Sequence, residues 1–204
     1  MAIYKYNHCK FKFRMKNKKL TINFVTSNPG KVMEFRQILG PEIKVNHIKI
    51  SYPEMRSEDS GEIARNSAKE LAEKLKKNVV VEDSGLFIQA LNGFPGTYSA
   101  TIHKKIGLNG ILKLMEGVKD RNCLYKSAVA CCKPGKKPIS FLGEEKGNIA
   151  ESIRGNFGFG HDPIFIPEGS SKTYGEMENC EEVKKFRRRA VLKLSRYLLN
   201  KPKL

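Results

Sequence analysis

An α/β architecture is the fold this sequence predicts, and three observations carry it. Short β-branched or alternating apolar runs are separated by stretches whose apolar residues recur at helical spacing. The 204 residues are 40% apolar, enough chain to bury one substantial core. No internal repeat or low-complexity linker divides the chain, so a single domain is expected.

The elements follow in order. TINFVTS (21–27) reads as a strand, and GKVMEFRQIL (30–39) spaces Val32, Phe35 and Leu39 along one helical face. KVNHIKIS (44–51) is a second strand. GEIARNSAKELAEKLKKN (61–78) predicts a long amphipathic helix, with Ile63, Leu71 and Leu75 inward and lysines at the C-terminal end that the helix dipole favours. VVVED (79–83) predicts a buried strand, ended by a Ser84-Gly85 turn. LNGFPGTYS (91–99) is a Gly/Pro-rich turn, and GILKLMEG (110–117) is helical. Strands are expected near 122–132, 138–144 and 163–166, and a closing helix from Glu181 to Leu199. The strand-rich section 120–166 fits a second sheet or lobe.

Charge and cysteine content narrow the classes of function. The net charge is +17. Residues 1–20 carry seven Lys/Arg and no acid, and residues 181–204 carry nine basic residues against two acidic ones. Such a surface suits a polyanion, either nucleic acid or a phosphorylated small molecule, or is simply a solvated basic surface. In KFKFRMK (10–16) basic and apolar residues alternate, predicting an edge strand or a loosely held arm. No apolar run approaches the ~20 residues that a bilayer span needs, and the start lacks the apolar core of a secretory signal. Five cysteines without a C-x-x-C pair point to reduced thiols, and hence to a cytoplasmic protein. Cys131 and Cys132 are expected on opposite faces of one strand.

Four stretches could carry chemistry. TSNPGK (26–31) joins a strand to a helix, where backbone N–H groups attract an anion and Lys31 can reach a phosphate; on spacing alone an ordinary capped helix with a surface lysine is the simpler reading. Glu82 and Asp83 end the valine run and point to opposite faces of a strand. An acid there can hold Mg²⁺ or polarise a water, or else Asp83 or Ser84 caps a helix through GLFIQAL. SYPEMRSEDSGE (51–62) holds Glu54, Glu58, Asp59 and Glu62, solvated acids from which Glu54 could complete a metal site. RGNFGFGHDPIFIPEG (154–169) is a glycine-aromatic loop whose Phe159, Gly160, His161 and Asp162 could stack on and hydrogen-bond a base. His161 has no cluster of ligands around it in sequence.

In combination, FVTSNPGK (24–31), VVVEDSGLFIQALNGFPGTYSA (79–100), GFGHDPIFIPEG (158–169) and TYGEM (173–177) resemble the inosine/xanthosine triphosphate pyrophosphatase family. That resemblance spans residues 20–199, leaving 1–19 as a basic extension and 20–204 as the domain. It implies an elongated mixed-sheet α/β protein with two lobes flanking a central substrate cleft, usually a homodimer. It implies hydrolysis of ITP, XTP and dITP to monophosphate and pyrophosphate, with Mg²⁺ as cofactor and Mn²⁺ as a substitute. Thr26, Ser27, Asn28, Pro29, Gly30 and Lys31 match the family's triphosphate-binding turn. Glu54 and Asp83 match its metal residues, with Asp83 the catalytic acid and Ser84 beside it on the substrate. Phe159, Gly160, His161 and Asp162 match its base-holding loop.

One motif departs from the family. Its Ser-His-Arg triplet near the start of the last helix is replaced here by EEVKKFRRRA (181–190), which has no histidine and is about one residue shorter. Lys184 and Arg187 are the residues left to contact base and phosphate. The rival to an enzyme is a nucleic-acid-binding protein on the same scaffold, suggested by the charge. The acids at 54–62 and Asp83 would repel a phosphate backbone and count against it.

Overall fold

The computed structural model describes residues 20–200. The basic segment 1–19, with its KFKFRMK stretch and Cys9, and the last four residues lie outside them. Strands β1 (Leu20–Val25), β2 (Ile43–Ile48), β3 (Val79–Ile88), β4 (Pro95–Gly96), β5 (Asn122–Cys132), β6 (Ile139–Ile149) and β7 (Phe165–Pro167) form one mixed sheet. Its order is β2-β1-β3-β5-β6-β7, with β4 paired to β3. β1 runs parallel to β2 and β3, and the remaining pairs are antiparallel. The helices are α1 (Pro29–Leu39), α2 (Ser60–Leu75), α3 (Ser99–Leu114), α4 (Cys180–Val183) and α5 (Lys185–Leu199).

Two lobes share this sheet because β3, β5 and β6 are 10, 11 and 11 residues long. Each therefore spans roughly 33–36 Å, more than one core's width. At one end α1 and α5 cover a face through Phe24, Phe35, Val129, Val191 and Leu194. The apolar stripe of α2 covers the other face there, against Val79, Val81 and Ala130. At the far end Leu86, Ile88, Ile111, Tyr125, Phe165 and Phe186 build the second core. The strand-rich section 120–166 thus continues the first sheet and does not form a second one. Cys131 packs with the α1–α5 core and Cys132 with the α2 core, as strand alternation requires.

Three expectations need correction. β3 does not stop at Asp83: it runs straight through Ser84 and Gly85, paired with β5 from Val79↔Cys132 to Ile88↔Cys123. No turn forms because Gly85 is used for close approach instead; a Cβ there would lie 2.1 Å from the Gly96 carbonyl oxygen. No helix starts at 83–85, so neither Asp83 nor Ser84 is a cap. The helix expected at 110–117 begins at Ser99 and kinks at Gly107, whose φ is 64°. The closing helix is cut in two at Lys184, where ψ is 117°. The Lys184 side chain is buried and pairs with Glu34 and Asp162. No described helix is long and apolar enough to cross a membrane.

Candidate active site

The cleft originates in an interruption at one edge of β3. β1 meets β3 at Phe24↔Val80, and β4 takes over only at Leu86↔Gly96. Between them, residues 82–84 keep β5 on one side and no ladder partner on the other. Side chains from both faces of the strand therefore border one opening. Glu82 and Asp83 point oppositely, as alternation demands, yet both flank it. Lys31 spans the gap: its Nζ donates to the Glu82 carbonyl at 3.1 Å and stands 3.4 Å from Glu82 Oε2.

Lys31 comes from the turn after β1. Asn28 caps α1, its Oδ1 accepting from Gly30 N at 2.8 Å and Lys31 N at 3.3 Å, while Thr26 Oγ1 accepts from Asn28 N. Pro29 needs no partner in the first turn. The N–H groups expected to cradle a phosphate are thus already occupied, and an anion there must displace the Asn28 amide. Thr26 is buried and Ser27 is exposed.

On the α2 face, Asp83 is 6% exposed and its Oδ2 has no hydrogen-bond partner. Burial pushes its pKa up to about 6; Lys31 and Ser60 pull it down, and Glu54 and Glu82 push it further up. Glu54, on the loop after β2, is also raised by the crowded surroundings and lowered by Lys31. The neighbouring acids are spent elsewhere. Asp59 caps α2 through Gly61 N at 2.7 Å, and Glu62 accepts from Ser57 Oγ at 2.6 Å. Among the described residues no three His, Cys, Asp or Glu side chains gather as a metal cage.

On the opposite face lies a buried ion network. Arg187 Nε donates to Glu82 Oε1 at 2.7 Å, Arg187 Nη1 to Glu34 Oε2, and Arg187 Nη2 to Ser84 Oγ at 3.2 Å. Lys184 Nζ sits 2.8 Å from Glu34 Oε1 and 2.7 Å from Asp162 Oδ2. Ser127 donates to Glu82 at 2.6 Å. Lys31, Lys184 and Arg187 balance Glu34, Glu82 and Asp162, which is why these charges tolerate burial. Burial alone would raise Glu82, but Arg187 and Lys31 outweigh it and hold the carboxylate below its usual range. Burial would likewise discharge Lys184; Asp162 and Glu34 keep it charged.

The 158–162 loop closes over this network. Asp162 Oδ2 accepts from Phe159 N at 2.7 Å, and the Phe159 ring lies 4.6 Å from Lys184 Nζ. The same ring presses on Gly30, where a Cβ would come within 2.7 Å of it. Gly160 has φ 65°, which only glycine adopts cheaply, and so completes the turn. His161 instead packs edge-on against His103 of α3, ring centroids 5.2 Å apart, with Nε2 unpartnered. Burial first, then His103, pushes its pKa down from 6.5 to about 4. Between those values the unfolded chain binds the extra proton, so stability falls as pH falls. From pH 7 to pH 4.5, wild type is expected to lose about 2 kcal/mol more than His161→Phe, read by urea unfolding. Parallel losses in the two proteins would disprove this assignment.

Residues 22–197 match the Ham1 family. The chain belongs to that family. A dITP/XTP pyrophosphatase of Methanopyrus kandleri is 49% identical over 166 residues, 79% of this chain and 88% of that protein. A second, from Methanosarcina mazei, is 47% identical over 174 residues, 83% of this chain and 92% of its own. The HAM1 protein structure from Coxiella burnetii superposes with a TM-score of 0.76 at 27% identity, covering 89% of this chain and all of that one.

This Ham1-family chain also contains residues that sequence reasoning passed over. Glu34 and Ser127 had no motif to reveal them, being three residues after Lys31 and mid-strand in β5. Tyr52 stands among the cleft acids, its phenol pushed up first by burial and then by Glu54 and Asp83. Phe186 fills the second core, stacked on Tyr125 at 4.5 Å, so Arg187 alone of this adjacent pair enters the network. A separate groove of about 620 Å³, lined by Phe87, Leu124, Lys126, Lys146, Asn148 and Glu168 among others, contains none of the expected site residues.

Proposed function

We propose that this protein hydrolyses non-standard purine nucleoside triphosphates, such as dITP, ITP and XTP, to the monophosphate and pyrophosphate. The observation that carries this is Asp83: a buried carboxylate with a free oxygen, flanked by Lys31, in a chain about half identical to dITP/XTP pyrophosphatases. A pKa of about 6 leaves Asp83 mostly ionised at neutral pH and basic enough to take a proton from an attacking water. Lys31 stands beside it to meet phosphate charge. Attack at the α-phosphorus with pyrophosphate leaving requires both a triphosphate site and a base site. Asn28 and Lys31 serve the first; Phe159, Asp162, Lys184 and Arg187 serve the second.

Glu54 and Asp83 suit Mg²⁺, or Mn²⁺ in its place. Both are hard oxygen donors, one oxygen of Asp83 is unpartnered, and Mg²⁺ commonly takes only one or two carboxylates beside phosphate and water. When bound, such an ion neutralises phosphate charge and lowers the pKa of water. We further propose a cytoplasmic homodimer. No separate observation favours the nucleic-acid alternative, whose basic residues are divided between 1–20, with seven, and 181–204, with nine against two acids.

Pyrophosphate release from ITP, dITP, XTP, ATP and GTP, each with Mg²⁺, tests the activity. ITP and XTP are expected to exceed ATP and GTP by about tenfold or more in kcat/KM, the scale of one hydrogen bond. Equal rates for all five would remove the selectivity, and no release from any would remove the enzyme.

A further inference from the structure

We infer that Glu145 of β6 is a positioning residue for the base end of the cleft, setting where Lys184 and Arg187 stand by capping α5. The inference rests on the nucleotide-hydrolysing reading above and names a residue that touches none of the reacting groups.

The first N–H groups of any helix need acceptors from outside it. The residue before α5, Lys184, cannot supply one, because its side chain only donates and is committed to Glu34 and Asp162. A remote carboxylate takes over. Glu145 Oε2 accepts from Lys185 N at 2.8 Å and from Phe186 N at 3.2 Å, and Glu145 is 3% exposed. Negative charge at a helix N-terminus is also favoured by the helix dipole.

The neighbouring residues of β6 bring α5 close enough for this cap. A Cβ on Gly143 would lie 2.0 Å from the Phe186 carbonyl oxygen and 2.7 Å from Ala190 N, so the helix rests directly on the strand. Arg189 donates to the Glu144 carbonyl and Lys193 Nζ to the Leu142 carbonyl at 2.7 Å. Residues 142–145 thus grip the first three turns of α5. The capped pair 185–186 is bracketed by Lys184 on one side and Arg187 on the other. Tilting that turn moves both cations at once, away from Glu82 and Asp162. Asp83 and Lys31 stand on other elements and keep their places. Loss of the cap therefore weakens binding of substrate while sparing the chemical step.

Two variants test this, with ITP and Mg²⁺. Glu145→Ala is expected to raise KM about tenfold with kcat within about threefold, the scale of one lost cap acting on two contacts. Glu145→Gln keeps an oxygen acceptor and should stay within about twofold of wild type in KM. Amide exchange at residues 185 and 186 should quicken in the alanine variant alone. Faster exchange with unchanged KM would make Glu145 merely structural and overturn the positioning role. A glutamine variant as impaired as alanine would overturn the cap, since charge would then be the cause. Wild type that releases no pyrophosphate would refute the activity itself, while the exchange comparison would still decide the cap.

Discussion

Replacing Asp83 by asparagine is expected to lower kcat/KM for ITP by about 10³-fold or more while leaving the protein at least as stable. The two effects have one cause. Asp83 is 6% exposed with an unpartnered oxygen, and burial raises its pKa from 3.8 to about 6. A raised carboxylate pKa means that the fold disfavours the ionised form, so holding that charge at pH 7 costs stability. The sign follows from linkage: the folded state binds the proton more tightly than the unfolded chain between pH 3.8 and about 6. Asparagine carries no charge and recovers up to about 3 kcal/mol of that cost. Thermal unfolding in EDTA, beside a pyrophosphate assay in Mg²⁺, reads both quantities. An inactive variant that is also destabilised would mean Asp83 holds the strand, and an active one would remove it from catalysis. Stability given up for activity is the pattern expected of a reacting group.

Arg187→Leu should have the largest effect on stability. The guanidinium is 2% exposed and bridges Glu34, Glu82 and Ser84. Leucine fills part of the volume but leaves three buried carboxylates, Glu34, Glu82 and Asp162, sharing Lys31 and Lys184. Breaking a buried pair from one side typically costs about 3–5 kcal/mol, and urea unfolding should show a loss of that order. Adding Glu34→Gln restores the balance, two carboxylates against two lysines, and should recover part of it. A single-variant loss below about 1 kcal/mol, or no recovery in the double variant, would show that the network is not held by charge balance.

The local elements were legible because their causes are local. The valine run of β3, the 3.6-residue spacing of Val32, Phe35 and Leu39, and the Asn28-Pro29 helix start each act within a few residues. Boundaries failed where a distant partner intervened. Gly85 looked like half of a turn, and only the Gly96 carbonyl pressed against it shows why the strand continues. Lys184 sat inside a helical pattern, and Glu34, 150 residues away, pulls it out of the helix.

By itself the sequence determined the α/β class, the order of its elements, the family resemblance and the identity of Lys31, Glu54 and Asp83 as candidate chemistry. Tertiary structure alone decided how Glu82 and Asp83, on opposite faces of one strand, come to border a single cleft. The reason is pairing: β1 leaves β3 after Val80 and β4 joins it only at Leu86, so the intervening edge is open to both faces. It also decided that Arg187 is committed to Glu34 and Glu82, and that Glu145 caps the helix that carries it. Hydrogen bonds between residues 40 to 150 positions apart leave no periodicity for a sequence to display.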